Sequence, residues 1–368
     1  MRAKILYGVG GEGRGHATRT RAVVEALRHE HDFIIYAPAH AYDILAPAYA
    51  RTAVDVRRIP GLRFHYDQHR RMDYLKTGWY GLRYVTRAGH VLRDLQEEVE
   101  REAPDLIITD FEPLMPRVAR RCGVPFLSID HQHFLLTYDL SSLPRDLRHH
   151  AANMAAVVRA YYSGQEETVV SSFYFPPLKP RCQNVVQIGV LLRPEVLAAA
   201  PEDGDHVVAY LRRFAPPSTL DALARCGREV RVYGLGRRPP RGRLRFFDID
   251  LLGFVEDLSS SCALVSTAGN QLVGEALFLG KPVLAMPESN NFEQYINAHF
   301  LEQSGAGELC EMEDLTAQCI RGFLGRGPNL RSAIDRTRLY GNAAAAAIVR
   351  KHLPAVSHQI RQPVLLAS

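Results

Sequence analysis

The sequence predicts an α/β protein built from two doubly wound, parallel-sheet, Rossmann-like domains that face each other across a crevice. Three observations carry that expectation. Short β-branched apolar runs alternate with helical stretches, the pattern of strand–helix–strand units with right-handed crossovers and buried strands. The alternation pauses once, at a proline cluster within 173–195, and then restarts. The chain has 368 residues, more than one hydrophobic core usually accommodates.

Taken in order, "AKILYGVG", "HDFIIYAP", "PDLIITDF", "VPFLSID" and "ETVVSSF" read as the strands of the first domain. Between the first two, Ala17, Thr20, Val24 and Leu27 lie at helical spacing, and the helix is expected to begin near His16 to Thr18. Residues 139–165 read as helical. The first domain is placed at 1–180 and an interdomain linker at 181–204. "DHVVAYL", "REVRVYGLG", "LRFFDID", "CALVSTAG" and "KPVLAMPES" then give a second parallel domain over 205–340. The alanine-rich tail reads as one helix over 331–353, with 341–368 packing back on the first domain.

Composition sets bounds on function. An apolar fraction of 46% and a charged fraction of 23% are those of a globular protein. No apolar run is long enough to span a membrane, and the amino-terminal residues lead straight into a strand, so no signal peptide is expected. Six cysteines without CxxC or metal spacing suit reduced thiols in a cytoplasm. The net charge of +5 rests on scattered arginines. A solvated surface explains them; attraction to an anionic substrate, or peripheral contact with a lipid surface at the inner membrane face, is the alternative. No motif for nucleic-acid binding is present.

"GVGGEGRGHATRTRAVVEAL", from Gly8 to Leu27, is the first unusual stretch. It contains GxGxxG, but no acid ends the second strand to hold a ribose, and no Lys-Ser/Thr follows the glycines, so dinucleotide and phosphate-loop sites are disfavoured. The density of glycine suggests that a ligand approaches the main chain there. His16, at the mouth of a helix, is either structural or projects into the crevice as a base. Gly13, Arg14 and Gly15 are candidates for acceptor or phosphate contact. The second stretch is 266–308. A strand ends in the small turn "TAGNQ", whose backbone N–H groups from Ala268 to Gln271 form an anion site at a helix start. Glu275 lies one turn on and can accept from vicinal hydroxyls, and Glu293 and Gln294 open the next helix.

These residues resemble the donor-binding motif of GT-B glycosyltransferases. The stretch is similar to the UDP-glycosyltransferases and to the enzymes that add N-acetylglucosamine to the peptidoglycan precursor. Gly269, Glu275, Gly280, Pro282, Pro287, Glu293, Gln294, Asn297 and Ala298 meet the shared pattern in order. "GEGRGHATR" resembles the amino-terminal "GGTGGH" loop, and resembles more closely an uncharacterised bacterial and archaeal group with a GxGxGHxxR turn. "APDLIITDFEP" resembles the strand that supplies an aspartate to the base histidine, which marks Asp110. "LLGFVEDL" resembles the segment that holds the nucleotide base, which marks Phe254 and Val255. The resemblance implies a nucleoside diphosphate sugar as co-substrate, UDP favoured, and an acceptor hydroxyl. The departures are Glu12 and Arg14 in the loop, and Thr267, Asn270 and Gln271 in the turn, so phosphate contacts should be made mainly by backbone amides.

Glycosyl transfer needs a base for the acceptor hydroxyl and stabilisation of the departing diphosphate. His16, oriented by Asp110, suits the first and the turn at 268–271 the second. An inverting hexosyltransferase with no obligatory metal or cofactor is therefore expected. Arg193 would add charge at the crossing or form a linker salt bridge. Asp248 and Asp250 form a DxD, a metal signature in another glycosyltransferase fold or a surface turn. His131 and His133 contact the acceptor, bind metal or pack. The aromatic, basic stretch around Trp79 shapes an acceptor pocket, touches a membrane or packs. A sugar-nucleotide 2-epimerase of the same fold and a noncatalytic nucleotide-sugar-binding module are the competing readings.

Overall fold

The computed structural model describes residues 2–11, 14–61, 89–161, 163–212 and 215–354. Gly13, Glu12 and the stretch around Trp79 lie outside them. Among the described residues, no helix is long and apolar enough to cross a membrane.

The first sheet is built of β1 (Lys4–Val9), β2 (Asp32–Ala37), β3 (Asp55–Arg58), β4 (Leu106–Asp110), β5 (Phe126–Asp130), β6 (Glu167–Ser171) and β7 (Val185–Ile188). All its pairings are parallel, and their spatial order is β3-β2-β1-β4-β5-β6-β7. Strands β1, β4 and β5 are almost wholly buried because helices cover both faces. On one face pack α1 (Arg14–Leu27) and α2 (Ala39–Tyr49), through residues such as Val24, Leu27 and Leu45. On the other pack a helix, α3, over 89–102 and α4 (Met115–Cys122), through Leu95, Val99, Met115 and Val118.

The second sheet runs β10 (Leu244–Phe246), β9 (Val230–Tyr233), β8 (Val207–Tyr210), β11 (Ala263–Ser266), β12 (Val283–Ala285), β13 (Gly307–Leu309), again all parallel. In each sheet the strand order reverses once, between β1 and β4 and between β8 and β11. Ligands of such sheets bind outside the carboxyl ends of the strands at that reversal. The register pairs Val9 with Asp110 and Tyr210 with Ser266, so the glycine-rich turn and the "TAGNQ" turn each leave from a reversal point.

Three strands escape the sequence pattern: β3, β7 and β13. Each is at a sheet edge, short and incompletely buried; β3 and β13 carry no apolar run, and the run that holds β7 lies within the stretch read as linker. The stretch 181–204 is consequently not linker throughout, since it contributes β7 to the first sheet. Its continuation, Val190 to Leu192, is fully buried, and Val190 and Leu192 belong to an apolar cluster joining Phe134 and Tyr174 to Val273, Ile296 and Phe300. The tail is not one helix either. It breaks between α12 (Ala317–Ser332) and α13 (Asn342–Lys351), where Gly341 donates its N–H to Val190 O at 3.0 Å and a Cβ would sit 2.2 Å from Gly189 O. Beyond the break, Ala345, Ala346 and Val349 of α13 enter the core of the first domain, and Arg350 pairs with Glu30 at 2.7 Å.

Candidate functional site

A cleft of about 680 Å³ lies between the two sheets, lined from both sides. That volume suits a ligand the size of a nucleotide sugar. Its first wall is built on β1, β4 and α1. The helix starts at Arg14, two residues earlier than its apolar spacing suggests, so His16 sits within its first turn. His16 Nδ1 lies 2.9 Å from Asp110 Oδ1 at the end of β4, and Asp110 is fully buried. The imidazole stacks parallel to Phe111, with ring centroids 6.2 Å apart. Main-chain hydrogen bonding from Gly10 N to Asp110 O (2.7 Å) ties the glycine turn to the same strand end.

The described glycines serve the protein's own packing as well as bordering the cleft. A Cβ on Gly8 would lie 2.4 Å from Met115 Cγ, and one on Gly11 2.8 Å from Pro38 Cγ. On Gly10 it would press on Asp110 O at 3.1 Å and on the His16 ring at 3.3 Å. These three make room for the protein's own packing, and Gly10 and Gly11 also line the cleft. Gly15 alone of the four faces the opposite wall, where a Cβ would stand 3.6 Å from Gln271 Cβ. Arg14 and Gly15 both line the cleft.

The second wall is the start of α10 (Asn270–Phe278). Its N-cap is Gly269, and no side chain caps it, which leaves the first-turn N–H groups for another acceptor. Thr267, Gly269, Asn270 and Gln271 line the cleft there. Ala268 does not: it is fully buried, with φ of +23°, and its carbonyl accepts from Asn297 Nδ2 at 3.0 Å. The side chains of the turn reach into the first domain. Asn270 Nδ2 donates to Ser171 O at 3.2 Å and Gln271 Nε2 to Leu191 O at 2.8 Å.

Glu275 and Arg193 both line the cleft and are paired. Arg193 Nε and Nη2 donate to Glu275 Oε1 and Oε2 at 3.1 and 2.9 Å, and Gln271 Nε2 adds a bond to Oε1 at 3.1 Å. Arg193 also lies over the Phe254 ring, 5.8 Å from its centroid. Phe254 lines the cleft, set edge-on against Tyr233 at 4.9 Å. Glu293 and Gln294 line the cleft at the start of α11 (Phe292–Gln303), where Gln294 Oε1 accepts from Glu288 N at 2.7 Å.

Two expected contacts fall elsewhere. Val255 does not line the cleft: Leu251–Ser259 is a helix, α9, and Val255 packs in the same apolar cluster as Phe254, which alone of the two also borders the cleft. His131 is fully buried beneath the cleft wall, with Nδ1 at 3.1 Å from Ser171 O and Nε2 at 3.2 Å from Asn297 Oδ1. Burial pushes its pKa down, against an opposing pull from Glu293. The DxD is local structure: Asp250 caps α9 through Gly253 N at 2.8 Å, and Asp248 accepts from Arg237 N at 3.1 Å. Among the described residues, no three His, Cys, Asp or Glu side chains gather as metal ligands.

Two residues were missed in the sequence. Arg19, buried one turn after His16, contacts both His16 and Asp110; the GHxxR spacing was its only sign. Glu112 lines the cleft beside Phe111, fully buried, and burial pushes its carboxyl up to about 7 even though Leu114 N and Met115 N donate to it.

Residues 3–328 match the family described as Glycosyl transferase family 1. The chain belongs to that family. An uncharacterized glycosyltransferase of Methanosarcina acetivorans is 30% identical over 114 residues, which span 29% of this chain and 30% of that relative. The family's fold is shared by solved structures across nearly the whole chain. The calicheamicin glycosyltransferase CalG4 matches with a TM-score of 0.69 at 18% identity, covering 97% of this chain and 99% of the other. A UDP-glucosyltransferase from Polygonum tinctorium matches with a TM-score of 0.69 at 14% identity, over 96% and 98%. SsfS6 of a Streptomyces species, complexed with thymidine diphosphate, matches with a TM-score of 0.61 at 17% identity, over 95% and 100%. The architecture is thus GT-B.

Proposed function

We propose that the protein is an inverting glycosyltransferase that moves a hexosyl unit from a nucleoside diphosphate sugar to an acceptor hydroxyl without an obligatory metal. The observation that carries this reading is the meeting of two devices in one cleft. One wall holds an imidazole whose Nδ1 rests on a buried carboxylate. The facing wall is a helix start with no side-chain cap.

In the step envisaged, the acceptor hydroxyl gives its proton to His16 Nε2 as its oxygen bonds to the sugar's anomeric carbon. The bond from that carbon to the diphosphate oxygen breaks, and the electron pair leaves with the nucleoside diphosphate. Asp110 holds the imidazole and stabilises it as it becomes charged, by the logic of a triad. The N–H groups of Gly269 to Gln271 meet the growing phosphate charge without reorganising. Arg193 is held at the same site by Glu275, whose carboxylate offsets its charge, and lies over the Phe254 ring. Glu275 takes the ribose and Glu293 and Gln294 the sugar. UDP is the favoured nucleotide, supported by a UDP-glucosyltransferase and a UDP complex among the structures of like fold.

The test is nucleoside diphosphate release from a panel of nucleotide sugars, with and without a library of hydroxyl acceptors, followed by mass spectrometry of the products. Acceptor-dependent release with a glycosylated product is expected. Release of a free sugar or epimer in the absence of acceptor would replace transfer by epimerisation, and binding without release would leave a binding module.

A further inference from the structure

Three side chains meet at His16, and their hydrogen bonds are not independent. Arg19 Nε lies 3.1 Å from Asp110 Oδ2, and Arg19 Nη2 lies 2.8 Å from Asp110 Oδ1. The same Nη2 lies 2.8 Å from His16 Nδ1, which is itself 2.9 Å from Asp110 Oδ1. Asp110 Oδ1, His16 Nδ1 and Arg19 Nη2 therefore form a triangle with sides of hydrogen-bond length. A guanidinium nitrogen only donates. If Nδ1 carries a proton, the bond to Asp110 forms and Arg19 meets Nδ1 as donor against donor. If Nδ1 carries none, Arg19 bonds it, and two lone pairs face each other between His16 and Asp110. One side of the triangle is always unfavourable, so the guanidinium bears directly on where the imidazole keeps its proton.

All three groups are nearly out of water, with exposures of 9% for His16, 3% for Arg19 and 0% for Asp110. Charges are weakly screened there. The guanidinium neutralises the carboxylate that would otherwise favour a doubly protonated imidazole, and sets a second cation beside Nδ1. We propose that Arg19 is a positioning residue: its fork fixes Asp110 so that Oδ1 receives the Nδ1 proton, and its charge disfavours a second proton on the ring, with the Nε2 lone pair available to the cleft. That inference rests on His16 being the base.

Other titratable groups face this cluster. Tyr7 on β1 and Asp130 at the end of β5 act on Arg19, and His131 feels Arg19 from the following turn. Glu293 acts on His131 from the opposite wall. None of them is bonded to His16, whereas Arg19 and Asp110 are.

The test is a pH titration of the His16 ring nitrogens by NMR, in intact protein labelled with ¹⁵N-histidine and assigned with the His16→Ala variant. It needs neither donor nor acceptor. Arg19→Met should raise the His16 midpoint by about one to three pH units, since it removes a like charge in contact and frees an opposite one. Arg19→Lys keeps a charge but loses the fork, and should move it less. Added methylguanidinium should return the Arg19→Met midpoint toward that of the wild type. If Arg19→Met fails to fold, the Arg19→Lys titration decides. A midpoint that stays put or falls in the folded variant overturns the proposal. Nucleoside diphosphate release separates this from the reading of His16 as base: release by the variant should recover as pH is raised through the new midpoint. Release that stays low at every pH, with the midpoint shifted, sinks the base role and leaves Arg19's hold on His16 standing.

Discussion

Glu275 is the residue whose surroundings alter its expected role most. Its position in the motif marks it for the ribose, yet both oxygens are already engaged by Arg193. The pair is almost wholly buried, so removing one partner strands the other's charge at a cost of about 3–5 kcal/mol. Glu275→Ala should therefore do two things. It should lower stability, and it should weaken nucleoside diphosphate binding by about ten- to a hundredfold, the equivalent of a bond to a charged group. Calorimetric titration and denaturation on the single variant and on Arg193→Met/Glu275→Leu separate the effects. The double variant should regain stability but not affinity. Affinity restored together with stability would reduce Glu275 to a packing role. The carboxylate itself was legible from the sequence, because its spacing after the glycine turn is fixed. Its partner was only half legible, since nothing in a linear pattern says that Arg193, more than 80 residues upstream, arrives at the same point.

Among the elements, α4 joins stability to the cleft. Its first N–H groups are bound by Glu112, at 2.9 Å from Leu114 N and 2.7 Å from Met115 N. Burial lifts that carboxyl from 4.5 to about 7, against the pull of those bonds. Below pH 4.5 the folded and unfolded chains both hold the proton. Between 4.5 and 7 the unfolded chain releases it first, so stability falls as pH rises through that window. At 1.36 kcal/mol per unit the loss is about 3 kcal/mol. Glu112→Gln keeps the acceptor without the charge. Its stability relative to the wild type should rise by that amount between pH 4.5 and 7.5 in urea denaturation. An equal difference at the two pH values would contradict the assignment. The elements read most surely in the sequence are the central strands, whose residues are apolar on both faces, as in Leu106–Ile108. Edge strands such as Asp55–Arg58 carry charge and leave no such mark. Turn geometry was equally hidden: whether the His131 ring points into the cleft or beneath it depends on one dihedral that periodicity does not encode.

For the whole molecule, the proposed function divides the work of one reaction between the two domains. It assigns acceptor activation to the first sheet's reversal point and donor binding to the second's. The two domains are not loosely hinged in this structure: Asn270 and Gln271 of the "TAGNQ" turn bond directly to Ser171 and Leu191. The division makes a sharp prediction, because His16 should matter to turnover and not to the nucleotide. The most direct measurement is the affinity for nucleoside diphosphate and the rate of sugar transfer, taken side by side on wild type and His16→Ala. We predict affinity within a few fold of the wild type and a rate lower by about 10²–10⁴. Transfer that survives within a few fold would make His16 structural, and a collapse of nucleotide affinity would place the donor on the glycine turn and reverse the roles of the two domains.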